Sequence, residues 1–142
     1  MRPISHALPL AALAAMLSLP LAAQAQSVSA EKLSQALGTP GLQVKAVTKR
    51  RAQQVHQDYD IVDSAGNDIA TVTTAPPASF ADWKQVPEHE PLPGVGQEAY
   101  RRPGMDQVCA RSAKAAACLT PFPGAPRKPS LQQLQAALAT LI

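Results

Sequence analysis

Residues 55–74 read Val-His-Gln-Asp-Tyr-Asp-Ile-Val-Asp-Ser-Ala-Gly-Asn-Asp-Ile-Ala-Thr-Val-Thr-Thr, and the fold follows from how this stretch is paired. Val55, Tyr59 and Ile61 alternate with His56, Asp58 and Asp60, the period of a strand with one buried face. Ser64, Ala65, Gly66 and Asn67 supply turn chemistry before a second β-rich run at 69–74. If Val62 stands opposite Ile69, then Ile61 meets Ala70 and Tyr59 meets Val72. That register gathers the apolar residues of both strands on one side, as a half-buried hairpin requires.

Upstream, Leu42, Val44 and Ala46 alternate with Gln43 and Lys45, predicting a strand that runs into Lys49, Arg50 and Arg51. Before it, Ser29 is placed to cap a short helix with Glu31 in its first turn and Leu33, Ala36 and Leu37 on one face, and Gly38 to end it. Downstream, Pro76 and Pro77 close the hairpin, Phe80 and Trp83 read as apolar plugs on a helical turn, and prolines impose an irregular loop over 87–93.

Local signals conflict over 107–120. Its alanines favour helix, yet a hairpin about Ala113 and Lys114 would pair Val108 with Leu119 and Cys109 with Cys118. In a helix those cysteines would lie on opposite faces, whereas paired strand residues come within disulfide reach, so a hairpin is expected. Ser130 and Gln133 fit a capping box, and Leu131, Leu134, Leu138 and Leu141 form a stripe through a C-terminal helix. The order of elements predicts an α+β fold: an antiparallel sheet of about 4–5 strands with N- and C-terminal helices packed on one face.

The N-terminus reads as a cleavable leader. Arg2 precedes an apolar run over 7–21, Pro20 breaks it, and Ala23 and Ala25 stand at the −3 and −1 positions of an Ala-x-Ala signal. Cleavage after Ala25 would leave residues 26–142 as one small domain, exported to the periplasm and without a membrane span. That domain carries 12 Lys and Arg against 10 acids, too even a balance to imply nucleic acid. Export makes a Cys109–Cys118 disulfide the default.

His56, Asp58 and Asp60 put an imidazole and two carboxylates in a row from one strand face, donors that suit a divalent metal if His89 approaches from another element. Glu88, His89 and Glu90 lie between prolines. Lys49, Arg50 and Arg51, with Arg101 and Arg102 elsewhere, offer a basic surface. No Gly-x-Ser-x-Gly, phosphate-binding glycine loop, zinc spacing or haem attachment motif occurs in the sequence.

Residues 93–100 read Pro-Gly-Val-Gly-Gln-Glu-Ala-Tyr. This resembles a recurrent arrangement in small exported bacterial domains and lipoproteins, where a Gly-(Leu/Val)-Gly-(Asp/Asn)-Glu-Ala-Tyr turn precedes a strand pair and a last helix. Gln97 departs from that pattern, and the cysteines lie outside it. The resemblance implies architecture more than activity: Gly94 and Gly96 turn the backbone, Glu98 follows, and Tyr100 packs inward. The leading expectation is a non-catalytic periplasmic protein, without cofactor, that binds another protein or an envelope component. The alternatives are a metal-binding protein or small metal-dependent hydrolase, and a periplasmic inhibitor or immunity-type protein.

Overall fold

The computed structural model describes residues 28–48 and 55–142. The expected leader and the Lys49, Arg50, Arg51 triplet lie outside the described residues. Helix α1 (Ala30–Leu37) starts where the Ser29 hydroxyl accepts from the Lys32 N–H, and stops at Gly38, whose φ of 63° is left-handed. Leu33 and Leu37 put its one apolar face into the core.

Strands β1 (Gln43–Val47), β2 (Gln57–Val62) and β3 (Asp68–Ala75) form an antiparallel meander. Asp63 shapes the tight turn of its hairpin: its carboxylate accepts from Ala65 N–H at 2.9 Å, Asn67 N–H at 2.8 Å and the Asn67 side-chain amide at 2.9 Å. These donors, the Asn67 amide foremost, favour the ionised form and hold Asp63 below the usual carboxylate range. A depressed native pKa means that the turn is stabilised above the unfolded carboxylate's pKa and loses that contribution as pH falls through the native value. Amide exchange at Ala65 and Asn67 should therefore rise on acidification before the sheet melts. Asp63→Asn should abolish that pH dependence; an unchanged dependence in the variant would refute the assignment.

Tyr59 pairs with Val72 and Ile61 with Ala70, as expected, but Val62 faces Asp68 rather than Ile69. A bulge between Ile61 and Val62 shifts the register there. It re-aims the chain so that both consecutive residues are buried, which strict alternation forbids. Val55 also departs from expectation. The strand begins at Gln57, β1 ends opposite Asp58, and Val55, which pairs with no strand among the described residues, is 69% exposed.

After Pro76 and Pro77 comes the short helix α2 (Ser79–Trp83) with Phe80 buried. Then follow β4 (Glu90–Pro91), β5 (Glu98–Arg102), a 3-10 turn (Pro103–Met105), β6 (Gln107–Arg111), β7 (Ala116–Pro121) and helix α3 (Leu131–Ala139). The stretch 107–120 is a hairpin, with Val108 opposite Leu119 and Cys109 opposite Cys118. One antiparallel sheet results, in the order β1-β2-β3-β7-β6-β5-β4. Among the described residues the sheet has seven strands, more than the expected 4–5, in part because the proline loop contributes the two-residue β4, whose Glu90 pairs with Arg101.

One face of the sheet is covered by the terminal helices, and the other, among the described residues, is covered by α2 only over β5–β7. Leu33 and Leu37 of α1 and Leu134 and Leu138 of α3 pack with Ile61, Val72, Val108 and Leu119, so the terminal helices share one face. On the other face, Phe80 of α2 packs with Tyr100, Cys109, Ala116 and Cys118, flanked by Trp83 and Val86. Helix α3 opens with a complete capping box: Ser130 Oγ accepts from Gln133 N–H, and Gln133 Oε1 accepts from Ser130 N–H. Leu131, expected in the apolar stripe of α3, is instead 38% exposed at its start.

Candidate partner-binding surface

The polar row is formed by β2 and the residue just before it. His56 Nε2 lies 3.8 Å from an Asp58 carboxylate oxygen, and the other Asp58 oxygen accepts from the Thr73 hydroxyl at 2.6 Å. Asp60 stands opposite Lys45 across the β1–β2 pair. His89 belongs to the far edge of the sheet. Its Nδ1 is 2.9 Å from the Val86 carbonyl oxygen, and its ring meets the Tyr100 ring edge-on at 5.4 Å. The strand order puts five strand steps, about 24 Å at ordinary spacing, between β2 and β4. The fold therefore does not bring His89 to His56, Asp58 and Asp60, and among the described residues no three His, Cys, Asp or Glu side chains are grouped to hold a metal. Glu90, next to His89, forms an ion pair with Arg101 at 3.3 Å.

In the Gly-Val-Gly-Gln-Glu-Ala-Tyr segment Val95, Ala99 and Tyr100 are buried, while Gly94, Gly96 and Gln97 are exposed. Gly94 and Gly96 take φ values of 83° and 57°; Val95 and Ala99 enter the helix-side core, and Tyr100 enters the opposite one. The Tyr100 hydroxyl donates to the Trp83 carbonyl at 3.1 Å, and burial pushes its pKa up. Glu98 accepts from Lys84, just beyond α2, and pairs with Arg111 of β6 at 3.4 Å. The Lys84 hydrogen bond above all holds the Glu98 carboxyl below its usual range. Arg111 also donates to the Gln97 side-chain oxygen at 3.0 Å and lies 5.9 Å from the Phe80 ring centre. Glu98 thus ties α2 to the β5–β6 pair. Cys109 and Cys118 are joined in a disulfide with Cα atoms 4.1 Å apart, in the core beneath α2.

A different part of the molecule holds an exposed apolar surface. Met105, Phe122 and Leu131 are 47%, 46% and 38% exposed. They surround two adjoining concavities where the 3-10 turn after β5 meets the proline-rich loop that leads from β7 into α3. The first concavity, about 430 Å³, has Leu131, Leu134 and Val108 with Arg101 and Arg102. The second, about 240 Å³, has Met105 and Phe122. Asp106, Lys128 and Pro129 line both, and a Lys128–Asp106 ion pair of 2.9 Å stands at the boundary. Among the described residues, the buried side-chain nitrogen without a hydrogen-bond partner is Arg102 Nε.

Sequence reasoning passed over this surface because it belongs to no motif. The available signal was compositional: Phe122 stands in Pro-Phe-Pro-Gly-Ala-Pro, where prolines deny it a strand or helix face to bury. Prolines also stiffen the loop, so presenting these side chains to a partner costs little further ordering. No protein-family model, curated protein or solved structure matches the chain.

Proposed function

We propose that this is a non-catalytic periplasmic protein that binds another protein through the surface formed by Met105, Phe122 and Leu131. The observation that carries this reading is the gathering of three large exposed apolar side chains around two concavities that share one ion pair. Patches of that kind, framed by polar groups, mark interaction sites. The groups that suggested chemistry have other engagements: Asp58 holds Thr73, His89 meets the Val86 carbonyl, Glu98 holds Lys84 and Arg111, and both cysteines are bonded.

Capture of partners from envelope extract separates the two regions. Met105→Ser with Phe122→Ser alters exposed side chains and should leave the thermal midpoint nearly unchanged while weakening capture about tenfold or more, the loss expected of two central apolar contacts. A combined His56→Gln, Asp58→Asn, His89→Gln, Glu90→Gln variant should capture the same partner as the unaltered protein. The reverse pattern, with both variants folded, would sink the reading.

A further inference from the structure

We infer that the sheet face beside α2 binds a short acidic saccharide, with its carboxylate on Arg102 and its hydroxyls along a row of polar side chains that crosses five strands. The site is separate from the docking surface proposed above and does not depend on it. Arg102 borders the concavity near Leu131, but it follows Tyr100 by two residues in β5, so its side chain stands on the Tyr100 side of the sheet. The Tyr100 hydroxyl accordingly feels its charge. Opposite Arg102 is Gln107 of β6, whose side-chain amide donates to the Thr120 hydroxyl of β7 at 2.8 Å. Thr120 stands opposite Thr71 of β3, and Thr71 opposite Asp60 of β2. Helix α2 packs on the neighbouring row of Tyr100, Cys109 and Cys118 and on Ala116 beyond it, which leaves the Arg102 row open. Thr71 and Asp60 are exposed, and Arg102, Gln107 and Thr120 are half-buried.

The chemistry of the row is graded from end to end. Among the described residues the Arg102 guanidinium makes no ion pair, and its buried Nε has no hydrogen-bond partner. Orphaned buried donors are uncommon in folded proteins, and a planar guanidinium is matched by a carboxylate through parallel hydrogen bonds. The middle of the row is neutral and works in both directions. The Thr120 oxygen accepts from Gln107 and keeps its proton to donate, the Gln107 side-chain oxygen accepts, and the Thr71 hydroxyl does either. At the far end Asp60, opposite Lys45, is an acceptor for hydroxyl groups. One carboxylate followed by hydroxyls is the pattern of an acidic sugar. Four strand steps separate Arg102 from Asp60, about 19 Å at ordinary spacing, which is room for more than one sugar unit. A phosphate, carrying nearly two negative charges, would leave part of its charge unmatched on one guanidinium.

The test is a titration of the exported, ¹⁵N-labelled protein with cellobiouronic acid, a disaccharide with one carboxylate, and with cellobiose, acetate and inorganic phosphate. Cellobiouronate should shift amides at Arg102, Gln107, Thr120 and Thr71 and bind at least about tenfold more tightly than cellobiose or acetate. Arg102→Gln should bring cellobiouronate down to the level of cellobiose without lowering the thermal midpoint, because the guanidinium holds no partner. Thr71→Val keeps a β-branched side chain at an exposed position, and should weaken both saccharides while leaving acetate unchanged.

Cellobiose binding as tightly as cellobiouronate would show that Arg102 selects nothing. Acetate or phosphate acting as strongly would reduce the site to a simple anion site, and either result would overturn the inference. So would shifts centred away from the row, or no response to the saccharides. If Arg102→Gln does not fold, Thr71→Val decides alone, and saccharide binding unaltered in that variant would sink the proposal. Met105→Ser with Phe122→Ser should bind cellobiouronate as the unaltered protein does, and a loss there would show that the row is not a site of its own.

Discussion

Gly96→Ala is expected to lower stability by about 3 kcal/mol, combining roughly 1–2 kcal/mol for a side chain at left-handed φ with roughly 1–3 kcal/mol for overpacking. The backbone contribution comes from the φ of 57°. The packing contribution is unusually direct, because a Cβ here would lie 2.4 Å from the Arg111 carbonyl oxygen and 2.6 Å from Ile142 Cδ1. The isoleucine can rotate away. The carbonyl cannot, because it accepts from the Gln97 N–H at 2.8 Å and belongs to a strand held on both sides, Arg111 pairing with Glu98 and with Ala116.

Displacing Arg111 would disturb Glu98 and the Phe80 contact together, so the damage should reach the α2 side of the sheet. Gly94→Ala is the control: φ there is 83°, but nothing lies within 4 Å of the added carbon. It should lose only the backbone part, about 1–2 kcal/mol. Urea midpoints at constant m-value make the comparison. Equal losses at the two glycines would show that close approach to Arg111 is not what glycine at 96 provides.

The elements that were legible in the sequence are those whose signals are local. Ser29 and Gly38 bound α1, and the capping box starts α3, because a cap is chemistry between residues a few positions apart. The β2–β3 and β6–β7 pairings were legible because alternation and a connecting turn determine register over a short span. In the second hairpin, cysteine spacing outweighed alanine propensity, and the structure supplies a reason for the alanines. Ala110, Ala116 and Ala117 are fully buried between α3 on one face and α2 on the other, where larger side chains would hold the helices off the sheet.

What escaped the sequence depends on neighbours distant in the chain. Pro91 becomes part of a strand because it lies on the sheet edge, where its missing N–H faces no partner strand. The Ile61/Val62 bulge reflects a demand to bury both residues, which alternation cannot announce. His89 was paired with the wrong elements because only the strand order reveals how far β4 lies from β2. The apolar surface has the same origin. Met105, Phe122 and Leu131 come from three separate connections or ends, and each alone reads as an ordinary loop or helix residue.

Removing the Cys109–Cys118 bridge is expected to cost about 2–3 kcal/mol, from the closure entropy of a loop this short. Its position makes the consequence larger than that of a surface staple. β7 joins β3 to β6, so the β6–β7 hairpin connects the β1–β2–β3 meander to the β4–β5–β6 side. Cys109 and Cys118 also lie in the cluster with Phe80 and Tyr100, beside Trp83, the single tryptophan. Reduction should therefore lower the urea midpoint and change Trp83 emission together. Cys109→Ala with Cys118→Ala should match the reduced protein within the smaller cost of the lost side-chain volume. If reduced and oxidised protein melt alike, the bridge does not constrain the unfolded chain as argued. Because thiols persist in the cytoplasm and oxidise outside it, the same chemistry tests localisation. Protein recovered from the periplasm should contain no alkylatable thiol, and protein trapped inside by deleting residues 2–25 should contain two. Free thiols in the periplasmic fraction would refute the bridge, and absence of the full-length protein from that fraction would remove the premise of export on which the proposed envelope partner depends.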